Sequence, residues 1–256
     1  MSTRLCCPSY RLFVNPREVV TGSVTLNLFT VPTDVTGSIT PGGSPVTMTT
    51  TTPGQNGSLT FNGNTGDRIS LRGTNPSLTN ATFGCDLNVT ILKPNGTPLS
   101  STTCMDAGGF IDATTLPSTG VYTVSVDMVG PTYGSLTLTL YSVPADESGT
   151  ITIDGTAVPM TLSTPGQNGS LTFSATANQR ISLQSTTTSG FDTLFFCDVN
   201  ASILKPDNSP LVNPTCMDAG GSIGATTIPT TGTYTIVVDP AEASTGSITF
   251  TLVSVP

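Results

Sequence analysis

The sequence predicts an all-β protein made of two tandem, jelly-roll-like antiparallel β-sandwich modules. Three observations predict it: abundant Thr, Ser, Gly and Pro with only 9% charged residues, an internal repeat of period 112, and period-two alternation inside each repeat. Val, Ile and Leu supply most of the apolar side chains, and β-branched residues suit a pleated, half-buried surface. A chain of 256 residues has room for two domains of ordinary size. Its mean hydropathy of +0.14 argues against disorder, which needs low hydrophobicity and high net charge. The formal net charge of −8 argues against a nucleic-acid partner. No run of eighteen apolar residues predicts a membrane span, and no signal peptide is visible.

Read in order, residues 1–8 fit no repeat. Residues 9–32 align with the end of a repeat: Ser9-Tyr10 matches Val121-Tyr122 and Thr233-Tyr234, and Gly22 to Leu26 matches Gly134 to Leu138 and Gly246 to Phe250. They are expected to form the terminal strand pair of an incomplete repeat. Residues 33–144 and 145–256 are two full repeats, about half identical without a gap, and share one expected fold. Thr52 to Phe61 recurs unchanged as Thr164 to Phe173, Arg68 to Leu71 as Arg180 to Leu183, and Thr103 to Gly109 as Thr215 to Gly221. Runs such as Tyr122-Thr-Val-Ser-Val126 and Ser135-Leu-Thr-Leu-Thr-Leu140 put apolar side chains on one face and hydroxyls on the other. These are half-buried antiparallel strands. Turn clusters at Pro41-Gly-Gly, Pro53-Gly-Gln-Asn-Gly, Lys93-Pro-Asn-Gly and Pro117-Ser-Thr-Gly separate about eight such strands per repeat, and no segment carries a sustained helical period.

Cys85 and Cys104 are spaced as Cys197 and Cys216 are, one pair per repeat. Between the first two lies a hairpin signal, Asn88-Val-Thr-Ile-Leu92, the turn Lys93-Pro94-Asn95-Gly96, then Thr97-Pro-Leu99. Counting outward from Pro94-Asn95 places Cys85 within about one residue of facing Cys104, and Pro206-Asp207 does the same for Cys197 and Cys216. Disulfides Cys85–Cys104 and Cys197–Cys216 follow, and with them an oxidising, extracellular or cell-surface location. The chain has no histidine to complete a zinc site or activate a thiol. Cys6 and Cys7 lie outside the repeat, and the sequence assigns them no partner.

The run Cys85-Asp-Leu-Asn-Val-Thr-Ile-Leu-Lys-Pro-Asn-Gly-Thr-Pro-Leu99, followed by Met105-Asp-Ala-Gly-Gly109 and Leu116-Pro-Ser-Thr-Gly-Val-Tyr-Thr-Val124, resembles the bacterial pre-peptidase C-terminal domain. Asp198 to Leu204, Met217 to Gly221 and Ile228 to Ile236 carry the same marks in the second repeat. The chain is also similar to repeats of very large bacterial surface proteins, in which a Gly-Ser-(Val/Ile/Leu)-Thr strand closes each module. The resemblance implies secreted β-sandwiches that accompany enzymes or build surface arrays without being catalytic. Two departures stand out: the cysteine pair is added, and the acidic doublet before Gly-Gly is a single Asp.

No catalytic residue is expected, since histidine is absent and only Glu18, Glu147 and Glu242 join the aspartates as carboxylates. No cofactor is expected either, though calcium has a candidate set. Asp86, Asn88, Asp106 and Asp127, with Asp198, Asn200, Asp218 and Asp239 in the second repeat, put oxygens at strand ends. The same residue types at strand ends also form Asx-turns and blunt sheet edges. Val24, Leu26 and Leu28 on the unaccompanied terminal strands form a candidate self-assembly edge. The expected function is a structural or adhesive extracellular repeat module, forming fibres by strand addition, with neighbouring repeats or further copies as partners. The alternative is a carbohydrate- or matrix-binding accessory module of a secreted hydrolase, with a surface glycan or matrix as partner.

Overall fold

A computed structural model describes residues 10–16, 21–81, 84–191, 197–218 and 220–256. Contacts divide the chain into Met1–Thr30 and Val31–Pro256. The described part of Met1–Thr30 contains no strand, and its apolar side chains Tyr10, Leu12, Phe13, Val24, Leu26, Leu28 and Phe29 are exposed.

Val31–Pro256 holds eighteen strands and no helix among the described residues. The first repeat contains β1 (Val35–Ser38), β2 (Val46–Thr49), β3 (Gly57–Gly63), β4 (Arg68–Thr79), β5 (Leu87–Leu92), β6 (Thr103–Cys104), β7 (Gly109–Thr115), β8 (Gly120–Met128) and β9 (Tyr133–Ser142). The second contains β10 (Glu147–Thr150), β11 (Val158–Leu162), β12 (Gly169–Ala175), β13 (Arg180–Ser189), β14 (Val199–Leu204), β15 (Pro210–Cys216), β16 (Ser222–Thr227), β17 (Gly232–Pro240) and β18 (Gly246–Ser254). Each repeat forms a five-stranded sheet, β1-β3-β8-β5-β6 or β10-β12-β17-β14-β15, and a four-stranded one, β2-β9-β4-β7 or β11-β18-β13-β16.

Alternation decides which faces meet. On β8, Tyr122, Val124 and Val126 turn inward and are at most 1% exposed, while Thr123 and Ser125 turn outward. They meet Leu87, Val89 and Ile91 of β5 and, from the facing sheet, Ile69, Leu71, Leu136, Leu138 and Leu140. A separate cluster from Ile151 to Leu252 fills the second sandwich. Each such Leu, Ile or Val contributes about 1.5–3 kcal/mol on burial. Phe61 and Tyr122 stack with centroids 5.4 Å apart, and the buried Tyr122 hydroxyl donates to the Ser118 carbonyl at 2.7 Å. Phe173, Tyr234 and Thr230 repeat the arrangement.

Two features differ from the expectation of antiparallel hairpins. β1 runs parallel to β3, and β10 to β12, because β2 and β11, which intervene in sequence, lie in the other sheet and supply the crossover. The two strands that close each repeat do not pair: β8 lies between β3 and β5, and β9 between β2 and β4.

Candidate functional site

Both cysteine pairs are disulfides, each with Cα atoms 5.6 Å apart. The turn between β5 and β6 forms as its residues dictate. Gly96 takes φ 80° and donates to the Lys93 carbonyl at 2.8 Å, and Lys93 donates to Thr97 at 2.8 Å. The register differs from the count, however: Asn88, not Cys85, faces Cys104. From the bridge Leu92↔Pro98 to the pair Val89↔Thr103, β5 spends three residues and the returning chain five, so the ladder slips. Register shifts in the ladder of β14 and β15 leave Asn200 facing Cys216 in the same way. Cys85 therefore lies just before β5 and ties the incoming loop to the end of β6.

The eight candidate oxygen ligands divide between two environments. Asp106 accepts the backbone N–H of Asp86 at 2.9 Å and of Leu87 at 2.6 Å, which caps the start of β5. Asp218 accepts from Asp198 and Val199 at the start of β14. Burial pushes the Asp218 carboxyl above the usual carboxylate range, those two N–H bonds pull it down, and the neighbouring Asp198 charge pushes it up again. Asp86 and Asp198 are buried, and their carboxylates accept from Thr132 at 3.3 Å and Ser244 at 3.2 Å, pinning the loops after β8 and β17. In contrast, Asn88 and Asp127 face each other across β5 and β8 on the outer side of the sheet, as do Asn200 and Asp239 across β14 and β17. Among the described residues, the groups of three Cys or Asp that converge are Cys85–Cys104–Asp106 and Cys197–Cys216–Asp218. In each, two members are joined sulfurs, which offer no thiolate.

On the outer face of the first repeat, Asn56, Asn88, Thr90, Thr102, Ser125 and Asp127 line an open groove of about 530 Å3. A second type of cleft recurs in both repeats beside the ends of β1 and β10. It is about 380 Å3 where Ile39, Phe61 and Val121 line it, and about 660 Å3 where Ile151, Phe173 and Thr233 do.

The feature that sequence reading missed is the joint between the repeats. Thr164-Pro165-Gly166-Gln167 forms a type II turn, with Gly166 at φ 84° and Gln167 donating to Thr164 at 2.9 Å. Its Pro165 carbonyl accepts a 2.6 Å bond from the fully buried Ser70 hydroxyl of the first repeat. A Cβ at Gly166 would stand 3.1 Å from Ala113 and from Ser70, so glycine permits the approach. Beside the turn, Arg68 donates to Asp146 at 2.8 Å and to the Pro144 carbonyl at 2.9 Å, and Asp146 also accepts Asn168 N–H at 3.1 Å. Burial, then the charges of Asp112 and Asp146, push the Asp239 carboxyl upward. The unchanged Pro-Gly in both repeats was the available signal, but a turn read from sequence does not say what it touches.

Val24, Leu26 and Leu28 are exposed, at 62%, 54% and 99%, and lie in no strand. The expected terminal strand pair is absent from the described residues of 9–32, whereas 9 and 17–20 lie outside them. The sheet topology gives the reason. In a complete repeat these two segments sit in opposite sheets, each between two neighbours. They are not a hairpin, since each draws its ladder from strands other than its companion.

No protein-family model and no curated protein matches the sequence. Solved structures align with the chain at low identity. The pre-peptidase C-terminal domain of Bacillus anthracis collagenase is 11% identical, with 43% of this chain and 97% of that one aligned at a TM-score of 0.31. The CUB1-EGF-CUB2 region of human MASP-1/3 is 10% identical over 83% of this chain and 94% of that one, at 0.27. The tandem CBM51 modules of a family 98 glycoside hydrolase from Streptococcus pneumoniae are 9% identical over 76% and 80%, at 0.25.

Proposed function

We propose that the chain is a non-catalytic extracellular module pair whose work is positional: it holds whatever adjoins it at a set spacing and orientation. The observation that carries this reading is the joint, where a fully buried serine hydroxyl of one repeat is bonded to a turn of the next. A flexible tether between independent domains has no use for such a bond. One disulfide per repeat supports residence in an oxidising compartment. The chemistry of the carboxylates supports the absence of catalysis, since Asp86, Asp106, Asp198 and Asp218 are engaged by backbone or hydroxyl donors. Fibre growth by strand addition at Val24, Leu26 and Leu28 is not part of this reading, because that segment offers no strand edge.

Small-angle scattering tests it. The profile should fit one fixed arrangement of the two repeats, and a profile that requires freely jointed sandwiches would overturn the reading. A second reading, glycan or matrix binding in support of a secreted hydrolase, is favoured by the groove of Asn56, Asn88, Thr90 and Asp127. Such amide and carboxylate groups hydrogen-bond sugar hydroxyls. A glycan array probed with the intact chain and with Asn88→Ala/Asp127→Ala decides: signal lost in the double variant supports it, and no signal from the intact chain removes it.

A further inference from the structure

The same joint is present in two unfilled halves. Pro165 and Gly166 are buried, whereas the identical Pro53 and Gly54 are half-buried and exposed. On the opposite side, Ser70 is buried and Ala113 half-buried, whereas their counterparts Ser182 and Ala225 are half-buried and exposed. The pairs share residue type and local structure. Gly54 and Gly166 both have φ 84°, and Gln55 donates to Thr52 as Gln167 does to Thr164. Two things separate them: the neighbour, and the Ser182 hydroxyl, which donates to the Ile223 carbonyl of its own repeat at 2.9 Å and has to turn to meet an incoming carbonyl. Within Val31–Pro256 the first repeat therefore carries an exposed copy of the turn, and the second an exposed copy of its seat.

The flanking groups match as well. Asp34 accepts the Asn56 N–H at 3.0 Å as Asp146 accepts that of Asn168, so it stands where the partner of an arginine stands. Arg180 reaches the Pro256 carbonyl as Arg68 reaches that of Pro144, and Arg68 adds the Asp146 carboxylate to this bond. At the position of Asp112, whose charge crowds Asp239, the second repeat has Gly224, so a contact made there brings one carboxylate fewer toward Asp127.

We infer that a second copy of this chain docks head to tail. The Pro53–Gly54 turn of one copy seats on Ser182 and Ala225 of the other, and Asp34 meets Arg180. The contact is heterologous, so each added copy leaves one turn and one seat free for the next, and rows grow unless the rotation between copies closes a ring. It is weak, for two reasons. The seat is small. In addition, Val31 lies over Gly54, 3.4 Å from where a Cβ would stand, and has to move aside.

This inference rests on the positional reading above, and one scattering and sedimentation series on the full chain separates the two. At the lowest concentration the profile reports whether the repeats are fixed to one another; with rising concentration the average mass reports docking. Docking predicts that the mass rises about twofold or more. Pro53→Arg blocks the turn and Ala225→Arg blocks the seat. Each variant alone should stay monomeric, while an equimolar mixture should form dimers and nothing larger, which misfolded variants could not do. A fixed monomer at every concentration overturns the docking and leaves the positional reading standing. Association of either single variant to the extent of the parent also overturns it. Freely jointed repeats at low concentration overturn the positional reading itself.

Discussion

Replacing Gly166 by alanine and, separately, Gly54 by alanine gives a matched pair in which the backbone cost cancels. Both glycines have φ 84°, where an L side chain costs about 1–2 kcal/mol. Both sit at the third position of the same Thr-Pro-Gly-Gln turn. The surroundings differ. At Gly54 the new methyl meets only Val31, at 3.4 Å, an ordinary contact with a side chain that can turn away. At Gly166 it meets the Ala113 nitrogen and Cβ and the Ser70 Cβ, all at 3.1 Å. Two strands, β4 and β7, carry those atoms, so relief means opening the joint rather than rotating a side chain. Overpacking of this kind costs about 1–3 kcal/mol, and loss of the Ser70 to Pro165 bond adds about 1 kcal/mol. Opening the joint also caps the loss at whatever the joint contributes. The expectation is that Gly54→Ala destabilises by about 1 kcal/mol and Gly166→Ala by about 1–2 kcal/mol more. Urea unfolding followed by tyrosine fluorescence is the assay, because the chain lacks tryptophan and each core buries one tyrosine, Tyr122 or Tyr234. Equal losses in the two variants would refute the reasoning, since the joint would then contribute nothing to stability.

Replacing either cysteine pair by serine should lower stability by about 3 kcal/mol, similarly in the two repeats, and non-reducing peptide maps should show Cys85 joined to Cys104 and Cys197 to Cys216; free thiols at these positions in oxidised protein would contradict it. The Asp239 carboxyl is raised by burial and by Asp112 and Asp146, so the folded state holds its proton more tightly than the unfolded state. Stability from this group is present below the ordinary value of 3.8 and is lost as pH rises through the raised one. Asp239→Asn should therefore stabilise the protein at neutral pH and leave it unchanged in acid, which melting curves at both pH values will check. Asp154 has the opposite sign, because its bonds from Ser254 lower its pKa. Asp154→Asn should cost stability at neutral pH, and the deficit should vanish as pH falls through the lowered value. Millimolar calcium should leave the melting midpoint in place, because the candidate ligands are split between the loop at β5 and the outer face; a rise of several degrees reversed by chelator would show a site.

What the sequence disclosed follows from the range of each interaction. The 112-residue repeat, the alternation that buries Tyr122, Val124 and Val126, and the Lys93–Gly96 turn depend on neighbours in sequence, and all were legible. The disulfide partners were legible from spacing, but their register was not, because extra residues between Pro98 and Thr103 leave no local mark. The parallel pairing of β1 with β3 was hidden for a related reason: it depends on β2 crossing to the other sheet. Asp106 and Asp218 could be picked out as recurrent carboxylates, yet only the fold shows that backbone N–H groups occupy them.

The lack of strands among the described residues of 9–32 and the joint between the repeats have one origin. Alignment at a period of 112 tells which residues are equivalent, and equivalent residues need not share a structure or a neighbour. The described residues of 9–32 do not share that structure, because a strand needs hydrogen-bonding neighbours, and β8 and β9 draw theirs from two different sheets. For Pro53-Gly54 and Pro165-Gly166 the local structure is equal, and the environment differs because the first repeat seats the second turn. The two copies thus act as internal controls for one another in exposure as well as in identity. Positions whose residue is unchanged but whose burial differs, such as Ser70 against Ser182 and Gly166 against Gly54, mark where one repeat meets the next.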